Sequence, residues 1–90
     1  MKQFTKQEIA EIIREAERDS NWKVSELIPI ESEDPVHVAQ RINEEYGNYA
    51  SIDQPGNNTC FWTAEDVAES VKTGFITFGD GYALIWYDGV

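Results

Sequence analysis

The sequence predicts a single acidic α+β domain over residues 1–90, in the order α-β-α-β-α-β-β, with three helices packed on a short antiparallel sheet that ends in a C-terminal β-hairpin. Three observations lead there. Three stretches repeat apolar residues at helical spacing behind capping signals. Shorter stretches rich in β-branched and aromatic residues separate or follow them. Near the C-terminus an Asp-Gly pair divides two such stretches, FITF and YALIWY.

The first helix is read in FTKQEIAEIIREAERDSN. Thr5 and Glu8 have capping-box spacing, Phe4 and Ile9 can staple across the cap, and Ile9, Ile12, Ile13 and Ala16 recur on one face. WKVSELIPI then alternates loosely through Trp22, Val24 and Ile28, as a strand would. Pro29 has no amide hydrogen to donate, which favours a sheet edge or a strand ending near Leu27.

The second helix begins in ESEDPVHVAQRINEEYG, with Asp34 as N-cap, Pro35 in the first helical position and Gly47 as C-cap. Pro35, Val38, Ala39, Ile42 and Tyr46 are expected to face inward, and His37, Arg41, Glu44 and Glu45 outward. NYASID is read as a short strand and QPGNN as a type II turn. Thr63 and Asp66 box the start of the third helix, whose apolar stripe is Ala64, Val67, Ala68 and Val71 and which closes at Gly74.

With Asp80-Gly81 as a two-residue type I′ loop, Phe78 faces Ala83, Thr77 faces Leu84, Ile76 faces Ile85 and Phe75 faces Trp86. Alternation then places Ile76, Phe78, Ala83, Ile85 and Tyr87 on one side, and Phe75, Thr77, Tyr82, Leu84 and Trp86 on the other. Both sides are apolar. Either helices cover both, or an aromatic face stays partly open for docking.

Charge is the strongest compositional signal. Residues 1–23 balance five bases against five acids, so the whole net charge of −10 falls on residues 24–90, where twelve acids meet only Arg41 and Lys72. A surface of that sign repels nucleic acid and anionic membrane and attracts basic proteins. No stretch approaches the ~18 apolar residues of a membrane helix, the polar N-terminus does not enter a signal-peptide core, and one cysteine permits no internal disulfide, so a cytoplasmic protein is expected.

Catalysis finds little support in the residues present. Cys60 and His37 are the only nucleophile and base of their types, and with no CxxC or HxxxH they form a weak zinc set; neither an enzyme nor a metal or cofactor site is expected. Glu31, Glu33 and Asp34 lack the spacing of a calcium loop, and no phosphate-binding glycine motif occurs.

Recognition remains. Glu31, Glu33, Asp34, Glu44 and Glu45 cluster on and before the second helix, and Glu65, Asp66 and Glu69 on the third, so adjacent helices would form an acidic ridge. Tyr82, Trp86 and Tyr87 are the candidate desolvated anchors. A chain of this length spans about 30 Å, over which duplex DNA carries roughly eighteen phosphates. The seventeen carboxylates present are close to that number.

In size, charge and lack of an evident active site, the chain resembles the small acidic inhibitors that phages and mobile elements direct at host nucleases, including anti-restriction and anti-CRISPR proteins. The resemblance implies DNA mimicry at a basic, nucleic-acid-binding protein surface by a monomer or homodimer that binds no nucleic acid itself. The rival expectations are an immunity protein or antitoxin for a basic toxin, and a self-associating structural module.

Overall fold

A computed structural model of the chain describes residues 2–53 and 62–88, with side chains except those of residues 46–53. Among the described residues the elements are α1 (Lys6–Glu17), β1 (Trp22–Pro29), α2 (Pro35–Asp53), α3 (Ala64–Thr73), β2 (Ile76–Gly79) and β3 (Tyr82–Asp88). Three helices thus accompany a three-stranded sheet of order β1-β3-β2, antiparallel throughout and ending in the hairpin β2–β3. The α+β class holds.

One element differs from the sequence reading. NYASID is not a strand but the last part of α2, which runs through Gly47 to Asp53. A helical glycine costs only about 1 kcal/mol relative to alanine, and Asn, Ala and Asp are poor strand formers, so local preference there was weak in both directions. The QPGNN turn and Cys60 fall outside the described residues.

The hairpin has the predicted register, Ile76 opposite Ile85, Thr77 opposite Leu84 and Phe78 opposite Ala83, and Trp86 donates its N–H to the Phe75 carbonyl at 2.8 Å. Its turn is different in type. Gly81 has φ +82°, but Asp80 does not have a positive φ. That sign pattern belongs to a type II turn, not type I′.

Strand β1 pairs with β3 through a bulge between Val24 and Glu26. The extra residue shifts the side-chain phase, which is why the strand alternates only loosely: Trp22, Val24 and Leu27 share one face of the sheet, and Ile28 turns to the other.

The second of these faces holds the core. Ile28, Ile76 and Ala83 from the sheet close against Val38, Ala39 and Ile42 of α2 and Val67 of α3, with Phe78, Ile85 and Trp62 partly buried around them. Each fully buried Ile or Val there contributes about 1.5–3 kcal/mol relative to exposure. Pro35 and Val36 are exposed, so the inward face of α2 begins at Val38. On α3 the stripe is narrower than its pattern: Val67 is buried, whereas Ala68 and Val71 are exposed.

Helix α1 lies on the opposite face. Ile9, Ile12, Ile13 and Ala16 are half-buried above Leu27 and Leu84, which are buried. Its capping box is complete, Glu8 N–H donating to Thr5 Oγ1 at 3.1 Å and Thr5 N–H to Glu8 Oε1 at 2.9 Å. The hydrogen bonds from the Thr5 backbone and hydroxyl hold the Glu8 carboxyl below its usual range. Phe4 sets its ring edge-on against Tyr82 of β3, with centroids 5.7 Å apart.

One side-chain amide ties the two core helices. Asn43 of α2 accepts the Trp62 N–H at 2.8 Å and donates to the Trp62 carbonyl at 2.9 Å, just ahead of the Thr63–Asp66 capping box of α3. Asn43→Ala leaves both partly buried Trp62 groups without partners, and denaturant unfolding is expected to show a loss of about 1–3 kcal/mol. Gly81→Val forces a β-branched residue to positive φ, and the expected loss is about 1–3 kcal/mol, read as a lowered melting temperature. Unchanged melting would refute the turn geometry.

Candidate functional site

Each cluster of predicted contact residues is built by local hydrogen bonds. The segment after β1 is pinned at both ends. Ile30 N–H reaches the Gly81 carbonyl at 3.0 Å. Glu31 N–H donates to His37 Nε2 at 3.0 Å, so that nitrogen is unprotonated there. Asp34 N–H is held by Ser32 Oγ at 3.0 Å, and Asp34 Oδ1 accepts the Val36 N–H at 2.9 Å, the N-cap role that the sequence indicates. Glu31, Glu33 and Asp34 are therefore exposed side chains on an anchored backbone.

Arg41 departs most from its expected place. It was expected on the outer face of α2, yet its side chain is only 11% exposed. Its Nε donates to the Pro29 carbonyl at 2.9 Å, and its two terminal nitrogens meet Glu44 at 2.7 Å and Glu45 at 3.0 Å. Helical spacing of three and four residues puts these carboxylates within reach, and the β1 terminus supplies the third acceptor. One guanidinium thus offsets one of the two negative charges of Glu44 and Glu45, which makes them the weakest members of the acidic set.

Helix α3 carries Glu65, Asp66 and Glu69, all exposed. Asp66 also accepts the Thr63 N–H at 2.9 Å, which orients its carboxylate. Helices α2 and α3 pack side by side, with Val36, Gln40, Asn43, Glu44, Trp62 and Ala64 lining a shallow groove. The acids of the 31–34 segment, α2 and α3 thus belong to one side of the sheet.

The aromatic candidates do not gather there. Tyr82 is engaged with Phe4 on the α1 side. Trp86 lies on that same side and donates its indole N–H to Thr77 Oγ1 at 2.8 Å. Tyr87, 49% exposed, alternates to the α2–α3 side, opposite Lys23 in the register. The acids and two of the three aromatics are therefore separated by the sheet.

Trp86 instead contributes to a groove of about 410 Å³ that the sequence reading did not single out. Ala16 of α1, Ser20 between α1 and β1, Trp22, Thr73, Gly74 and Thr77 complete its lining. Phe75, 42% exposed, stacks in tilted fashion on Trp22 with centroids 4.7 Å apart. The predicted hairpin placed Phe75 and Trp86 on one side. Adding Trp22 required knowing that β1 pairs with β3.

Among the described residues, no group of three or more His, Cys, Asp or Glu side chains is arranged to hold a metal ion, and no helix is long and apolar enough to cross a membrane. No known protein family, curated protein or solved structure matches the chain.

Arg41→Met removes a cation from two carboxylates and a donor from the Pro29 carbonyl, so a stability loss of about 1–3 kcal/mol is expected in chemical denaturation. Arg41→Lys keeps the charge without the planar fork and should fall between the two. Equal stability of Arg41→Lys and the parent would show that charge alone matters at this position.

Proposed function

We propose that this chain is a stoichiometric inhibitor of the small acidic type encoded by phages and mobile elements. It occupies a basic nucleic-acid-binding surface of a host defence or nucleic-acid-processing protein in the cytoplasm. One observation carries the reading. Of the two bases among residues 24–90, Arg41 is turned inward on Glu44, Glu45 and the Pro29 carbonyl, which leaves Lys72 as the other cation on an outer surface that bears Glu33, Asp34, Glu65, Asp66 and Glu69. Arg41 offsets one unit of charge on Glu44 and Glu45, and the exposed acids that remain still outnumber the cations on the α2–α3 side.

Such a field acts over a Debye length of about 8 Å at physiological salt and speeds encounter with a cationic groove. Carboxylates stand where phosphates would lie, and the protein itself needs neither catalysis nor contact with nucleic acid. Mimicry of this kind requires fixed carboxylates. The Glu31–His37, Asp34–Ser32 and Thr63–Asp66 hydrogen bonds support that requirement, since they hold the backbone from which the acids project.

Capture on the immobilised chain from lysate of the source cell, with elution by rising salt, tests the proposal. The expected partner is a nucleic-acid-binding protein that leaves steeply with salt and is displaced by added duplex DNA. The triple variant Glu31→Gln, Glu33→Gln, Asp34→Asn keeps the polar shapes and is expected to slow association with that partner by about tenfold or more with little change in melting temperature. Unchanged association, or a partner that DNA does not displace, would overturn the reading.

A further inference from the structure

The groove between α2 and α3, about 670 Å³, offers apolar surface to solvent: Val36 and Ala39 of α2, Trp62, and Ala64 of α3 line it. Val36 is 66% exposed, the most of any large hydrophobic side chain among the described residues, and Trp62 is only partly buried. The polar groups beside them are largely spent inside the fold. Asn43 has its oxygen and its nitrogen on the Trp62 backbone, and Thr63 Oγ1 accepts the Asp66 N–H at 3.2 Å. An apolar group placed here displaces water without stranding those polar groups.

The rim is anionic, and its carboxylates are tied to the lining itself. Asp34 Oδ1 accepts the Val36 N–H at 2.9 Å, and Asp66 Oδ2 accepts the Thr63 N–H at 2.9 Å. Backbone amides are neutral partners, and no lysine or arginine among the described residues is paired with either aspartate, so both keep their charge. Glu44 lines the groove directly; it shares Arg41 with Glu45, which leaves one net negative charge on the three. No lysine or arginine is part of the lining.

We propose that this groove receives one large apolar side chain that the inhibited protein carries between lysines or arginines. The side chain packs on Val36 and Trp62, and Asp34, Asp66 and Glu44 face the flanking cations. Charge selects this occupant, because a second copy would bring the same anionic rim and another net charge of −10. The proposal rests on the reading above for the partner's charge and adds an apolar anchor that a phosphate backbone does not have. Charged rims steer and orient, whereas a desolvated anchor supplies most of the affinity.

Two blocked peptides serve as probes, Lys-Lys-Leu-Lys-Lys and Lys-Lys-Ser-Lys-Lys, titrated into the isotope-labelled full chain with NMR shifts as the readout. The leucine peptide is expected to bind about tenfold more tightly, and to move the Val36 and Ala64 amides and the Asn43 side-chain amide. Val36→Ser changes an exposed side chain and should bring that preference down to about twofold or less. Val71→Ser, at an exposed valine outside the groove, should leave it unchanged. Asp34→Asn with Asp66→Asn keeps an oxygen for both backbone N–H groups and should weaken both peptides by about threefold or more.

Equal binding of the two peptides, a leucine preference that survives Val36→Ser, or undiminished binding by the double asparagine variant would overturn the proposal. Shifts at Val36 and Ala64 that grow with protein concentration in the absence of peptide would identify a second copy as the occupant and would also overturn it. Failure of the two readings is distinguishable. If Val36→Ser binds the salt-released, DNA-displaced partner as tightly as the parent does, the groove proposal falls and mimicry stands. If the peptides behave as expected but DNA does not displace the captured basic partner, mimicry falls and the groove stands.

Discussion

The structure depends on β3 being the middle strand. It is hydrogen-bonded on both sides, to β1 and to β2, and its side chains alternate between two apolar layers. Ala83 and Ile85 meet the layer of α2 and α3, and Leu84 and Trp86 meet the layer of α1. A three-stranded sheet with two apolar faces is stable in water only if both are covered. The chain meets that demand unequally. Two helices bury one face, and one helix with half-buried residues shades part of the other.

This inequality accounts for the aromatic groove. A single helix of twelve residues, α1, is packed on β1, and the α1 side of β2 is left to Phe75, Thr77 and the edge of Trp86. The indole N–H of Trp86 is satisfied by Thr77, so the ring presents its apolar surface at no cost in lost hydrogen bonding.

Charge is distributed by the same packing. The balanced acids and bases of residues 1–23 lie on and around α1, whereas most acids of residues 24–90 lie on α2, α3 and the segment between β1 and α2. Arg41 is spent on Glu44, Glu45 and the Pro29 carbonyl, so the acids outside that pair face Lys72 as the other cation of residues 24–90. The molecule thus has an electrostatic surface and an aromatic groove on opposite sides of one sheet.

Much of this was legible beforehand, for local reasons. The capping boxes Thr5–Glu8 and Thr63–Asp66, the N-cap Asp34, the C-cap Gly74 and the hairpin register all arise from residues a few positions apart, and the sequence determined each of them. It also determined the charge asymmetry. Other features needed distant partners. Helix α2 continues past Gly47 where weak local preferences did not decide, Arg41 turns inward because the Pro29 carbonyl lies beside it, and Trp22 joins Phe75 because β1 pairs with β3. The sheet's order and the face each helix covers fall in the same class. Residues far apart in the chain meet only when the core closes, so tertiary structure alone decided which acids stay exposed and which aromatic side chains line the groove.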